Sequence, residues 1–283
     1  MMFEHFLITR FNLRNEAWKK SKNSELVLTA QWLKDRFRLF DHFCFPSVKN
    51  QTNVNFTWLV FFDIQTPESY KEGLNKYRVA FPNFTPLYID GMAQFLPAAQ
   101  HEVSKASTPY VITTRIDNDD CVSKYFIENI QSRFDQQDYM AIDFIDGYTL
   151  QIEPEVKAGK RRHTFNPFIS LVEKNEHPKT IWHAPSHASW KREKNVMRIE
   201  HIRIWLSIIH FKNKVNEFVG YDQVDMNALF AEFRIADSAR DQLVNAQKDV
   251  ASWRVQSIRN KVATHCKIFY KDLKRWIRLR NNK

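Results

Sequence analysis

Residues 117–120 read Asp-Asn-Asp-Asp and directly follow the apolar run "VITTRI". Three carboxylates this close repel, and strands disfavour Asp and Asn. The run is therefore either a turn that caps the next helix or a cluster built around a cation. Asp117 and Asp119, two apart around a tight turn, can present carboxylates to one point. Mg2+ or Mn2+ takes only one or two such ligands from a protein, and phosphate oxygens and water complete the shell. This D-x-D spacing suits the binding of nucleotide diphosphates without a phosphate loop. Neither G-x-G-x-x-G nor G-x-x-x-x-G-K-[ST] occurs in the sequence, so a phosphate bound here is expected to be held through a metal.

The elements that must position this run alternate in type. "HFLITRF" (5–11), "FTWLVFFD" (56–63), "TPLYID" (85–90) and "PYVITTRID" (109–117) read as strands. Helical patterns separate them: 24–40 with Ser24 as N-cap, a helix opening at Thr66 with Pro67 in its first turn, and "LPAAQHEVSKA". A further helix is expected over 123–134. Such alternation predicts βαβ units and an α/β fold with a mostly parallel central sheet. Ligands of such sheets bind beyond the carboxyl ends of the strands. Asp63, Asp90 and Asp117–Asp120 all fall there. In the second half, 138–155 reads as a hairpin turning at Asp146-Gly147, followed by a basic loop, "KAGKRRHTF". "PFISLVEK" and "TIWHAPSH" read as short extended pieces. Helices are expected over 200–211 and from Tyr221 to Ile235.

The 283 residues, with 23 Phe, 8 Trp and only 5 Gly, describe an ordered globule with a large core. Cys44, Cys121 and Cys266 stand far apart and read as reduced thiols of a cytosolic protein. No signal peptide or membrane span is evident, so the chain is expected to be cytoplasmic or peripheral at the inner face of a membrane. The formal charge of +10 is concentrated at one end: residues 254–283 carry ten Lys/Arg and one acid, leaving 32 basic and 31 acidic residues before them. A nearly neutral body argues against nucleic acid as a partner. Within the tail, Ile258, Val262, Cys266, Phe269, Leu273 and Trp276 fall on one helical stripe. That stripe either docks on the body or meets an anionic membrane.

Several segments together resemble the family known as "putative rhamnosyltransferase", a branch of the GT-A-type glycosyltransferases. They are "HFLITRFN", the pattern Trp32, Arg36, Leu39, Phe40, "C-x-P-S" at 44–47, "F-x-W-L-V-x-F-D-x-x-T-P" at 56–67 and "T-R-I-D-N-D-D" at 114–120. "N-P-F-I-S-L-V-E" at 166–173 and "W-L-S-I-I-H-x-x-N" at 205–213 extend the likeness through most of residues 3–215. The resemblance implies a GT-A-like domain over 1–235, with a nucleotide-sugar-binding half (1–135) and an acceptor half (136–235); the basic helical extension over 236–283 lies outside it. It implies a nucleotide-sugar donor, a divalent cation, and transfer to a hydroxyl of a glycan or lipid-linked acceptor in surface polysaccharide synthesis.

The roles it implies are specific. Thr9 and Arg10 would line the nucleotide pocket, and Asp63 would accept hydrogen bonds from base or ribose. Asp117 would reach the ribose or a metal-bound water, Asp119 would ligate the metal, and Asp120 would support them. His210 would complete the metal site. Arg10 or Arg115 would stabilise the leaving diphosphate. An inverting transfer needs a carboxylate base, for which Glu173 is favoured over Asp146 and Asp143. The residues also admit plainer roles. Asp63 could cap the next helix with Thr66, His210 could be a core histidine, and Trp182 and Trp190 could be core or could stack on sugar rings. His183 and His187 are spaced like metal ligands on a helix, but Pro185 between them argues against it. A metal-dependent phosphodiesterase or nuclease, and a non-catalytic sugar- or nucleic-acid-binding module, are the alternative functions.

Overall fold

The computed structural model describes residues 2–15, 29–184, 186–211 and 217–281. Its strands are β1 (Phe3–Arg10), β2 (Thr57–Asp63), β3 (Phe84–Ile89), β4 (Tyr110–Arg115), β5 (Cys121–Val122), β6 (Tyr139–Gln151), β7 (Lys157–Arg162), β8 (Ser170–Lys174), β9 (Val196–Ile209) and β10 (Tyr221–Gln223). The helices are α1 (Ala30–Leu39), α2 (Phe45–Lys49), α3 (Glu68–Gly73), α4 (Asn75–Ala80), α5 (Phe95–Val103), α6 (Phe126–Gln131), α7 (Met226–Glu232), α8 (Asp237–Ala246) and α9 (Arg254–Asn281).

The strands join in one sheet in the order β10-β7-β6-β8-β4-β1-β2-β3, with β9 pairing to both β6 and β5. The α/β fold is as expected. Neighbours β4, β1, β2 and β3 run parallel. β2 is buried on both faces, as the helices of βαβ crossovers require, which is why "WLVFF" is an unbroken apolar run. Beyond β4 the sheet is mixed: β8 is antiparallel to both β4 and β6, while β9 runs parallel to β6.

Three local expectations are corrected. The 138–155 segment is one strand through Asp146-Gly147, not a hairpin. A Cβ on Gly147 would lie 2.2 Å from the Trp205 ring, so this glycine serves a close packing contact and not a turn. Residues 200–211 are strand β9, not a helix. Its β-branched isoleucines fit a pleated strand, and from Ile204 to Ile209 it is buried on both faces, which hides the alternation. The basic segment after Glu155 is strand β7, paired with β6.

Other details are resolved differently from the sequence reading. Thr29 caps α1 by accepting from Trp32 N at 3.1 Å; Ser24 lies outside the described residues. Pro67, not Thr66, stands at the cap of α3. Ala239 and Leu243 of α8 pack with Leu150, Leu206 and Phe230. Cys44 and Cys121 fill the core, whereas Cys266 is exposed. Among the described residues no helix is long and apolar enough to cross a membrane.

Candidate functional site

The acidic run begins where β4 ends, at the carboxyl edge of the parallel strands. Its backbone closes a tight turn, with Asp120 N donating to Asp117 O, and enters β5. β5 pairs with β9, and Asp120 Oδ1 accepts from Ile208 N at 2.9 Å. This clamp brings His210, one residue past β9, to the turn. His210 Nε2 lies 3.0 Å from Asp119 Oδ2. From the other side, α1 supplies Arg36, whose Nη1 is 2.6 Å from the same oxygen and 3.2 Å from Asn118 Oδ1. Asn118 donates to Phe11 O and ties the turn to the exit of β1. The run is therefore not a capping turn: its side chains bind one another's neighbours across three elements.

The electrostatics differ along the run. Burial opposes the charge of Asp119, but Arg36 and His210 together hold its carboxyl below the usual range. Burial pushes the Asp120 carboxyl well up, and repulsion from Asp119 and Asp117 adds to it, while Arg161 opposes. Asp117 is the open member, its side chain 39% exposed and 3.5 Å from Arg115 Nη2.

A second group stands beside the first. Arg10, ending β1, and Arg115, ending β4, each place the guanidinium 4.1 Å from the Trp182 ring. Burial lowers the Arg10 pKa to about 10, with Asp117 opposing and Arg115 reinforcing, so Arg10 remains charged at neutral pH. Burial likewise lowers the pKa of Arg115, whose Nε is buried with no hydrogen-bond partner. Two stacked cations and a buried unsatisfied donor, next to an exposed carboxylate, suit an anionic ligand.

The residues fit a cation in a narrower form than expected. Among the described residues no group of three or more His, Cys, Asp or Glu side chains could hold a metal ion, so Asp117, Asp119 and His210 do not form a three-ligand cage. Asp119 and His210 present a carboxylate and an imidazole 3.0 Å apart. Adjacent ligands of an octahedral Mg2+ or Mn2+, each at ~2.1 Å, stand roughly that far apart. This two-ligand edge suits a cation whose other ligands come from a diphosphate and water.

Other expected residues lie elsewhere. Thr9 faces the core, where its hydroxyl accepts from Trp58 Nε1 at 3.0 Å. Asp63 does end β2, but its carboxylate is taken by Arg14 N and Nε and by Gln65 N. Glu173 pairs in register with Val111, at the opposite end of β4 from the acidic run, and its carboxylate accepts from Lys179 N and Thr180 N, both at 2.8 Å. Those two bonds shape the loop that carries Trp182. Asp143 is fully buried and holds Phe165 N and Asn166 Nδ2. Asp146 is 1% exposed and engaged by Arg162 and His201 N. Both carboxylates are thus engaged inside the protein. His183 and His187 bond to separate backbone carbonyls and form no metal pair.

Arg36 has no role among the sequence-derived assignments, and Trp182 has one beyond core packing or sugar stacking. Arg36 stood in the Trp32-to-Phe40 pattern, but nothing local in that helix signals a partner 83 positions away. Trp182 is 8% exposed and belongs to a core cluster, yet it also forms the floor between two cations.

Comparison with solved structures found S. aureus TarS 1–349 in complex with UDP-GlcNAc at 10% identity and a TM-score of 0.41, covering 86% of this chain and 70% of that one. The mannosyltransferase PcManGT from Pyrobaculum calidifontis, in complex with GDP-Man and Mn2+, matched at 8% identity and a TM-score of 0.42, over 75% of this chain and 58% of that one. A nucleotide-diphospho-sugar transferase from Desulfovibrio desulfuricans, itself described as putative, matched at 12% identity and a TM-score of 0.40, over 87% and 99%. Likeness at this level says nothing about this chain's substrate. Comparison with curated proteins found no significant match. The family model described as "Putative rhamnosyl transferase" matches residues 4–221, a span that holds the acidic run, Arg36, Trp182 and His210. The chain belongs to that family of transferases.

Proposed function

We propose that the protein transfers a sugar from a nucleoside-diphosphate donor to a hydroxyl group, using a divalent cation. The observation that carries this reading is the meeting, at one edge of the sheet, of the Asp119–His210 pair with the Arg10–Trp182–Arg115 stack. Asp119 and His210 would hold Mn2+ or Mg2+. The cation would add positive charge beside the departing diphosphate.

The protein's own groups do the remaining work. Arg10 and Arg115, fixed against Trp182, hold the diphosphate and oppose its growing negative charge. Asp117, the exposed carboxylate, faces the ribose or a bound water. Asp120 locks the turn to β9 through Ile208 N, so that His210 stays aligned with Asp119. Arg36 pairs with Asp119 Oδ2 and would compete with a cation for that oxygen. With Glu173, Asp143 and Asp146 withdrawn, no residue is assigned as base. Rhamnose is the sugar favoured by the family, with a glycan or lipid-linked acceptor of surface polysaccharide at an anionic membrane reached through residues 254–283.

The test is a thermal-shift screen of nucleoside diphosphates and nucleotide sugars with and without Mn2+. The phosphodiesterase alternative needs carboxylates and histidines gathered around two ions, and no such group occurs among the described residues.

A further inference from the structure

Helix α9 spans 28 residues, about 42 Å at 1.5 Å per residue. Its N-terminal end is anchored in the body: Trp253, just before it, is 4% exposed, Ser257 5% and Asn260 9%. The edge that faces the body is mostly polar, with the half-buried Ile268 its apolar member. Ser257 Oγ accepts from Asp222 N at 2.9 Å, and Asn260 Nδ2 donates to Gly220 O at 3.0 Å. Farther along, Asp272 pairs with Arg198 at 2.9 Å and Arg275 donates to Glu193 O at 2.9 Å. The same helical edge thus meets the body at 257, 260, 272 and 275.

The apolar stripe lies on the opposite side. Ile258 is 57% exposed, Val262 59%, Phe269 72% and Leu273 43%. A helix that docked in the ordinary sense would bury these four and show its polar edge. This one does the reverse.

We infer that α9 is an interfacial helix worn inside out: hydrogen bonds and ion pairs hold its polar edge to the body, and its apolar stripe enters an anionic lipid surface. Charge selects this occupant. The net +9 of residues 254–283 is drawn to acidic headgroups, whereas a second copy of the same helix would bring a like charge of +9. Because the polar edge is bonded at both ends, the body rides on the membrane in one orientation. Lys271 lies 3.5 Å from Thr164 Oγ1, and Arg275 stacks 5.3 Å from the Phe165 ring. His187, which feels the charges of Arg115 and Asp117, bonds to Phe165 O. The lipid-bound helix therefore lies alongside the segment that borders the acidic site. This inference deepens the membrane part of the proposed function and does not depend on the donor.

The experiment is co-sedimentation of the full chain with phosphatidylcholine vesicles, with and without phosphatidylserine. No nucleotide is present, so its failure is separable from failure of the donor reading. Binding is expected only with phosphatidylserine. It should weaken as salt shortens the Debye length from ~8 Å at physiological strength to ~3 Å at 1 M. The double variant Val262→Ser, Phe269→Ser should keep its circular dichroism and melting temperature, since both side chains face solvent, and lose roughly tenfold or more in vesicle partitioning. No binding to the acidic vesicles, or binding that the double variant leaves unchanged, overturns the inference. A wild-type dimer in gel filtration that the double variant abolishes also overturns it, in favour of a second copy. If the double variant unfolds, Phe269→Ser alone serves, and the stripe is refuted if that variant unfolds too.

Discussion

Arg36 Nη1 lies 2.6 Å from Asp119 Oδ2, and His210 Nε2 meets the same oxygen at 3.0 Å. One carboxylate oxygen thus joins helix α1, the turn after β4 and the end of β9. A guanidinium stands where the proposed cation must compete. Charge-assisted hydrogen bonds of this kind contribute about 1.5–3 kcal/mol.

Arg36→Gln should therefore raise the affinity for Mn2+ in the absence of nucleotide by roughly tenfold, since about 1.4 kcal/mol is a factor of ten. Isothermal titration with MnCl2 measures it. Weaker Mn2+ binding in the variant would mean that Arg36 supports the cation site and does not compete with it.

Trp182→Leu removes the face on which Arg10 and Arg115 stack, each contact worth about 0.5–2 kcal/mol. Affinity for a nucleoside diphosphate should fall about tenfold, while Trp182→Phe, which keeps an aromatic face, should retain most of it. Equal losses in the two variants would mean that packing alone is at stake.

Glu173→Gln should lower the melting temperature, because two backbone N–H donors then share a group with one acceptor oxygen, at a cost of about 1–3 kcal/mol. Its turnover should stay near wild type. A variant of normal stability and no turnover would return Glu173 to the role of base.

Burial raises the Asp143 carboxyl from its ordinary 3.8 to about 6, against the hydrogen bonds from Phe165 and Asn166. The folded state thus holds a proton that the unfolded chain has released between those two values. Stability from this group is fully present below about pH 4 and is lost as pH rises through 6, at about 1.4 kcal/mol per pH unit. Urea denaturation of wild type minus Asp143→Asn, followed over pH 4–6, should show that downward slope. A difference that is flat or rises with pH contradicts it.

The first half of the fold was readable because its strands are apolar runs that end on Asp63, Asp90 and Asp117. The βαβ alternation placed those ends on one edge without any long-range information. The second half was not, for physical reasons. Asp146-Gly147 has the composition of a turn, but Gly147 is there for the Trp205 ring. "IWLSII" is buried on both faces, which hides the two-residue alternation of a strand. A helix over 200–211 would put His210 on a helix face, whereas its meeting with Asp119 depends on the β5–β9 pairing. Glu173 lies in the expected acceptor half, but an antiparallel β8 carries it back to the far end of the sheet. The outward apolar stripe of α9 was visible as a stripe. Its direction was not, because periodicity shows which residues share a face and not what that face meets.

The central claim is that Asp119 and His210 hold a cation that secures a nucleoside diphosphate against Arg10 and Arg115. The most direct measurement is the thermal shift of wild type and Asp119→Asn with nucleoside diphosphates and nucleotide sugars, each with and without Mn2+. The wild type should be stabilised by at least one nucleoside diphosphate only when Mn2+ is present, by about 2.7 kcal/mol at one hundred times its dissociation constant. Asp119→Asn should remain folded and show no metal-dependent shift. Stabilisation of Asp119→Asn equal to that of the wild type, or no nucleoside diphosphate that shifts the wild type, would contradict the account.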